Sequence, residues 1–128
     1  VQNALPLLKE SNSGARLVIL STEFLIGAPP IKTASYVSAK AALTAYSRVL
    51  SQEWLKHNIR VHILAPGMVK SSLIADMPDR YLDQVVESMP EKQLTTVDDV
   101  ADTAEFLMTP QADTLYGTII HASRAVRR

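Results

Sequence analysis

Cysteine is absent from all 128 residues, which excludes disulfide frameworks, thiolate zinc sites and a cysteine nucleophile. A chain without thiols suits a reducing compartment, and a cytoplasmic location is expected. Neither sign of charge is in excess: thirteen Lys and Arg balance thirteen Asp and Glu, so no overall field draws the chain onto nucleic acid or an anionic bilayer. Small, weakly charged ligands fit better. Long apolar runs are missing as well. The longest, roughly Ala15 to Leu20, falls far short of the ~20 residues of a membrane-spanning helix, so no membrane partner is expected. No basic-then-apolar secretory signal opens the chain, which begins at Val1 without an initiator methionine, as a fragment or processed product would. What the chain does have is 47% apolar residues, enough for a packed core, in the length of one domain.

Leu5, Leu7 and Leu8 suggest the end of a helix, strained by Pro6 unless that residue sits near a turn, and Ser11-Asn12-Ser13-Gly14 breaks it. Ala15 to Leu20 has the pattern of a strand buried on both faces of a parallel sheet. The segment from Ser21 to Ser35, with Gly27, Pro29 and Pro30, reads as a long loop. From roughly Tyr36 to His57 apolar residues recur at spacings near three and four, predicting a long amphipathic helix that Asn58 ends. Ile59 to Ala65 is a second strand, stopped by Pro66-Gly67. Strand, helix and strand in this order imply a βαβ unit and a parallel sheet. Tyr81, Leu82, Val85 and Val86 suggest a short helix. Thr96-Val97-Asp98-Asp99 resembles a capping box opening a helix that ends before Pro110. Tyr116 to His121 reads as a third strand and Arg124 to Arg128 as a basic tail. No internal repeat or low-complexity tract is evident.

Ligands of open parallel sheets bind beyond the carboxyl ends of the strands. The first strand delivers Ser21 and Thr22 there, hydroxyls able to donate to a carbonyl oxygen as charge develops on it. The second delivers Pro66 and Gly67, where a missing side chain would let a flat ring approach the backbone. Alone, each is also an ordinary cap or turn. Tyr36 and Lys40 stand four apart at the start of the long helix and so share a face, with Cβ atoms ~5–6 Å apart. A phenol ionising near pH ~10 exchanges a proton at neutral pH more readily beside a cation, which Lys40 can supply.

Three segments then agree in order and spacing with one family. Leu17 to Thr22, Ala34-Ser35-Tyr36-Val37-Ser38-Ala39-Lys40-Ala41-Ala42-Leu43, and Ile59 to Val69 resemble the second half of the short-chain dehydrogenase/reductases, most closely the members that include 3-oxoacyl-(acyl carrier protein) reductases. Thr96 to Ala101 with Glu105-Phe106-Leu107 resembles the family's late helix, and Gly117 to His121 its last strand. The resemblance implies an α/β fold, the second half of a Rossmann-like doubly wound parallel sheet in three αβα layers, with residues 1–128 as one partial domain. It implies hydride transfer between NAD or NADP and a ketone or secondary alcohol, a 3-oxoacyl thioester among the candidates. Tyr36 would be the general acid in reduction and base in oxidation. Lys40 would assist it and hold the nicotinamide ribose. Ser21 or Thr22 would orient the carbonyl: Thr22 by position, Ser21 by residue type. Pro66, Gly67, Val69 and Ser71 would line the nicotinamide, and residues 72–89, with Leu73, Ile74 and Met77, would form a mobile substrate lid. No metal is implied. The helix of Tyr36 commonly packs on its symmetry mate in this family, so a homodimer or homotetramer is expected, although Ala39, Ala41, Ala42 and Ala45 would equally suit packing on the sheet.

Departures matter too. Nothing matches the family's glycine-rich pyrophosphate turn, and its catalytic asparagine would lie upstream of Val1, Asn3 standing too close to the strand to replace it. An isolated segment of this kind is expected to be inactive and to bind dinucleotide poorly. His62 stands where the family usually has asparagine and is expected to be a hydrogen-bonded core residue. Ala122-Ser123 replaces a common Asp-Gly-Gly. Two other readings compete: a non-catalytic assembly or regulatory module that keeps the fold, and a sugar-nucleotide epimerase or dehydratase, which would usually extend well past the last strand.

Overall fold

Three parallel strands lie in the order β1 (Ala15–Leu20), β2 (Ile59–Pro66), β3 (Ile119–Ala122) in a computed structural model that describes residues 1–27 and 29–125. Ala15 faces Ile59 and Leu20 faces Leu64 in the first pairing; Ile63 faces Ile119 and Pro66 faces Ala122 in the second. The central strand is the β-branched run Ile59 to Ala65, and Ile59, Val61, Ile63 and Leu64 have no exposed surface. Burial on this scale is worth ~1.5–3 kcal/mol for each large aliphatic side chain. Helix α1 (Leu5–Lys9) and the long helix α2 (Ala34–Glu53) cover one face, where Ala15, Ile19, Leu50, Trp54, Ile59 and Val61 form a cluster flanked by Leu5, Leu8 and Leu43. The other face carries Leu64, Leu107 and Ala112, from β2, helix α4 (Val97–Leu107) and the 3-10 turn Pro110–Leu115. Helices on both sides of a parallel sheet make the three-layer αβα arrangement of a Rossmann-like fold.

Local chemistry explains most boundaries. Pro6 sits in the first turn of α1, where no backbone donor is needed, so the expected strain does not arise. Asn58, at φ 56, takes the left-handed position that ends the helical segment before β2. Thr96 and Asp99 complete the capping box of α4, each side chain accepting the other's backbone N–H, at 3.1 and 2.8 Å. Helix α3 (Asp79–Ser88) stands where the short helix was expected.

Four expectations change. The strand β1 is less enclosed than expected: its faces are covered, Ile19 packing under α2 and Val18 against the α4 cluster, but among the described residues only β2 pairs with it and Leu20 at its end is 48% exposed. The third strand starts at Ile119, since Tyr116 to Thr118 form a turn in which Gly117, at φ 74, donates its N–H to the Val61 carbonyl. On α2 the sheet-facing residues are Thr44, Ser47, Leu50 and Ser51, while Ala39, Ala41, Ala42 and Ala45 are exposed, so the alanines do not pack on the sheet. His62 is buried as expected, but neither ring nitrogen has a hydrogen-bond partner among the described residues. Of the basic tail, residues 126–128 lie outside the described residues.

Candidate active site

Lys40 lies in the second turn of α2, and the sheet fixes its head group: Nζ donates to the carbonyl of Leu20, the last residue of β1, at 2.7 Å. One turn earlier on the same face, the ring of Tyr36 has its centroid 5.9 Å from that ammonium. Phe24 meets Tyr36 edge-on at 6.4 Å between centroids, an arrangement that suits the ring quadrupoles. Phe24 is held by a 3-10 turn, Glu23–Leu25, whose cap is Thr22: its Oγ1 accepts the Phe24 N–H at 3.3 Å. The neighbouring Ser21 is buried, with Oγ 2.5 Å from Oγ1 of Thr44 on α2, and its N–H donates to Leu64 at 2.7 Å. Strand end and helix start are thus tied together at three points.

Opposite them, β2 ends at Pro66 and the chain runs through Gly67, Met68 and Val69 to Ser71. A cavity of about 760 Å³ separates the two sides, and all eight residues singled out from the sequence line it: Ser21, Thr22, Tyr36, Lys40, Pro66, Gly67, Val69 and Ser71. Its volume falls within the ~300–1,000 Å³ usual for small-molecule sites. Val97, Val100, Ala101 and Ala104 of α4 form a further apolar wall, and Leu73, Ile74 and Met77 line it as well. Among the described residues no carboxylate side chain lines the cavity, and the cations that do are Lys40 and Lys32, the latter at φ 66. Asn3 is exposed and takes no part.

One sequence-based explanation is revised. A Cβ on Gly67 would lie 3.0 Å from Cα of Ser123 and 3.0 Å from Oγ1 of Thr95, so the space a side chain would fill is occupied by the protein itself. The glycine admits the segment after β3. Several participants were not anticipated: Phe24, Thr44, Lys32 and the α4 residues. No local signal marks Phe24, which stands beside the equally apolar Leu25 and Ile26. A second cavity of about 790 Å³ lies under α3 and shares Ser71 and Ile74 with the first. The segment around residues 71–74 therefore separates the two.

Known proteins resemble this chain over most of its length. The family described as enoyl-(acyl carrier protein) reductase matches residues 1–124. A chloroplastic tropinone reductase homolog of Arabidopsis thaliana is 31% identical over 93% of this chain and 37% of its own length. The 3-oxoacyl-(acyl-carrier-protein) reductase of Chlamydia muridarum is 30% identical over 90% of this chain and 45% of its own. Among solved structures, a protein from Sinorhizobium meliloti assigned by description to the short-chain alcohol dehydrogenases superimposes with a TM-score of 0.85 at 27% identity, over 98% of this chain and 50% of that one. The chain spans half or less of the length of these relatives. No described helix is long and apolar enough to cross a membrane.

Proposed function

The chain belongs to the short-chain dehydrogenase/reductase family, and on that footing we propose that it is the carboxyl-terminal half of an oxidoreductase moving a hydride between NAD or NADP and a ketone or secondary alcohol. The observation that carries this is the meeting of a phenol, an ammonium group and two strand-end hydroxyls at one cavity. The residues present fit a nicotinamide and its ribose: the cavity wall from Pro66 to Val69 for the ring, the Ser71 hydroxyl for the carboxamide, and the Lys40 ammonium for the ribose hydroxyls. When bound, the nicotinamide supplies or accepts the hydride. Tyr36 donates its phenolic proton to the carbonyl oxygen in reduction and recovers it in oxidation. Lys40, with one N–H spent on Leu20, keeps two donors for the ribose and the phenolate. Thr22 or Ser21 donates to the carbonyl oxygen and aligns it.

Leu73, Ile74 and Met77 suit a partly apolar substrate, and the relative from Chlamydia muridarum makes a 3-oxoacyl thioester a candidate. The exposed strip of α2, with Ala42, Ala45, Tyr46 and Val49, supports a homodimer or homotetramer built on that helix. A cytoplasmic location accords with the absence of cysteine. Residues 1–128 alone should bind neither dinucleotide tightly, since β1 leaves an open edge and the glycine-rich half is not among them. Calorimetry with NADH and NADPH tests this, and submicromolar affinity would refute it.

Tyr36→Phe in the full-length enzyme is the decisive experiment. Loss of about 10²–10⁴-fold in kcat with folding intact supports the assignment and ends the scaffold alternative. Unchanged activity ends the catalytic one.

A further inference from the structure

We propose that Arg124, through its grip on Asp99 and Glu91, is a positioning residue that fixes the Pro66–Val69 wall of the cavity and thereby dinucleotide affinity; this rests on the nicotinamide reading of that wall. The chain leaving β3 makes a turn that ordinary side chains avoid, with Arg124 at φ 49 and Ala125 at φ 53, two successive non-glycine residues in the left-handed region. Such a turn persists only where its surroundings hold it. The guanidinium does so. Its Nε donates to Asp99 Oδ2 at 2.9 Å, Nη2 to both Asp99 oxygens at 2.7 Å, and Nη1 to Glu91 Oε2 at 2.5 Å. Forked pairing of this kind fixes direction as well as distance. Asp99 is a firm anchor because it also closes the capping box of α4.

Fixing the turn fixes what precedes it. Ser123, the adjacent residue, lies against Gly67 so closely that a Cβ there would be 3.0 Å from its Cα. Gly67 donates its N–H to Ala122 at 2.9 Å, which joins the wall to the end of β3. A second tie runs through Thr95, only 1% exposed: its Oγ1 donates to the Ala122 carbonyl at 3.3 Å, and its own carbonyl accepts the Lys70 N–H at 3.2 Å. Val69 pairs with Thr95 in an isolated parallel bridge. The wall is therefore held by Ala122 and Ser123 at Gly67 and by Thr95 at Val69 and Lys70. Arg124 and Asp99 bind those two supports together. Tyr36, Lys40, Ser21 and Thr22 line the cavity from α2 and the end of β1, and none of the bonds of this network involves them. Loosening it should move the dinucleotide wall and leave the acid/base pair in place.

The test uses the full-length enzyme and its Arg124→Met and Arg124→Lys variants, with NADH and NADPH as probes. Dinucleotide Kd, the KM of dinucleotide and of ketone, and Tm are measured for each. Arg124→Met should raise dinucleotide Kd and KM roughly tenfold or more while ketone KM moves less than about twofold, and Arg124→Lys should recover part of the loss. A merely structural role would lower Tm and leave the two KM values in step, and that result overturns the proposal. Should Arg124→Met fail to fold, Glu91→Ala, which removes one exposed contact, must show the same split in smaller degree, and equal dinucleotide affinity there overturns it too. A wild-type enzyme that binds neither dinucleotide overturns the nicotinamide reading and this inference with it. A wild-type enzyme that binds, beside variants that bind equally well, overturns this inference alone.

Discussion

A hydroxyl has a single proton to offer, and its direction decides whether Ser21 or Thr22 can polarise a carbonyl. Thr22 accepts the Phe24 N–H on its oxygen, which leaves its proton available to the cavity. Ser21 and Thr44, 2.5 Å apart, share one hydrogen bond between two hydroxyls, so the Ser21 proton is available only when Thr44 is the donor. Thr22→Val in the full-length enzyme should therefore lower kcat about 100-fold, and Ser21→Ala less than about tenfold. Steady-state kinetics with both variants check this, and the reverse order would assign the role to Ser21. The difference in legibility between these residues has a physical basis. Tyr36 and Lys40 are readable because a separation of four fixes their common face on a helix before any tertiary structure is known. Thr44 is not, since its partner lies 23 positions away and is chosen by how α2 docks on the sheet. Ser47 and Ser51 were equally silent: each donates to a carbonyl of its own helix, at 2.8 and 2.7 Å, and so meets the sheet without an unsatisfied group.

At the scale of elements, local signals placed the start of α4 and the strands β1 and β2 to within a residue or so. A capping box, an apolar run and a Pro-Gly stop each act within a few residues. Elements whose limits depend on neighbours were harder to place. Two examples are β3, which begins only where it can pair with Ile63, and the 3-10 turn Pro110–Leu115, whose Asp113 is drawn to Arg16 and Arg60 across the sheet. The turn after β2 belongs to the same class. Gly67 reads in sequence as an opening for a ligand, whereas its missing side chain makes room for Ser123 and Thr95. Gly67→Ala should then cost about 1–3 kcal/mol of stability through overpacking, and raise dinucleotide KM as the wall shifts. Denaturant unfolding alongside kinetics separates the two explanations. An alanine variant of full stability that lost only dinucleotide binding would restore the ligand-access reading.

For the molecule as a whole, buried and paired charges set how stability responds to acid. Burial, the largest influence, lowers the His62 pKa below its ordinary 6.5; Asp113 from the 3-10 turn raises it, and Arg16 on β1 and Arg60 on β2 lower it further. The folded protein thus keeps this ring neutral where the unfolded chain takes up a proton. Stability from His62 is complete above about pH 6.5 and is lost as pH falls below that value. Carboxylates act lower. Asp99 is held at about 2 by the Thr96 N–H and by Arg124, and Asp113 and Glu91 are lowered by hydrogen bonds to Arg16 and to Gln93 and Arg124. Their contributions are complete above their ordinary values near 4 and lost only as pH falls through the range below it. Between about pH 6.5 and 4.5 the histidine term therefore stands apart from the carboxylate terms. His62→Leu fills a similar volume and removes a ring whose nitrogens lack partners among the described residues, so at pH 7.5 its stability should match the parent within about 1 kcal/mol or exceed it. Denaturant midpoints measured from pH 7.5 to 5 should fall in the parent and fall distinctly less in the variant. His57, also lowered but only partly buried, is present in both and does not affect the comparison. Parallel pH profiles would mean that His62 reaches a hydrogen-bonding partner in solution and that burial does not govern its titration.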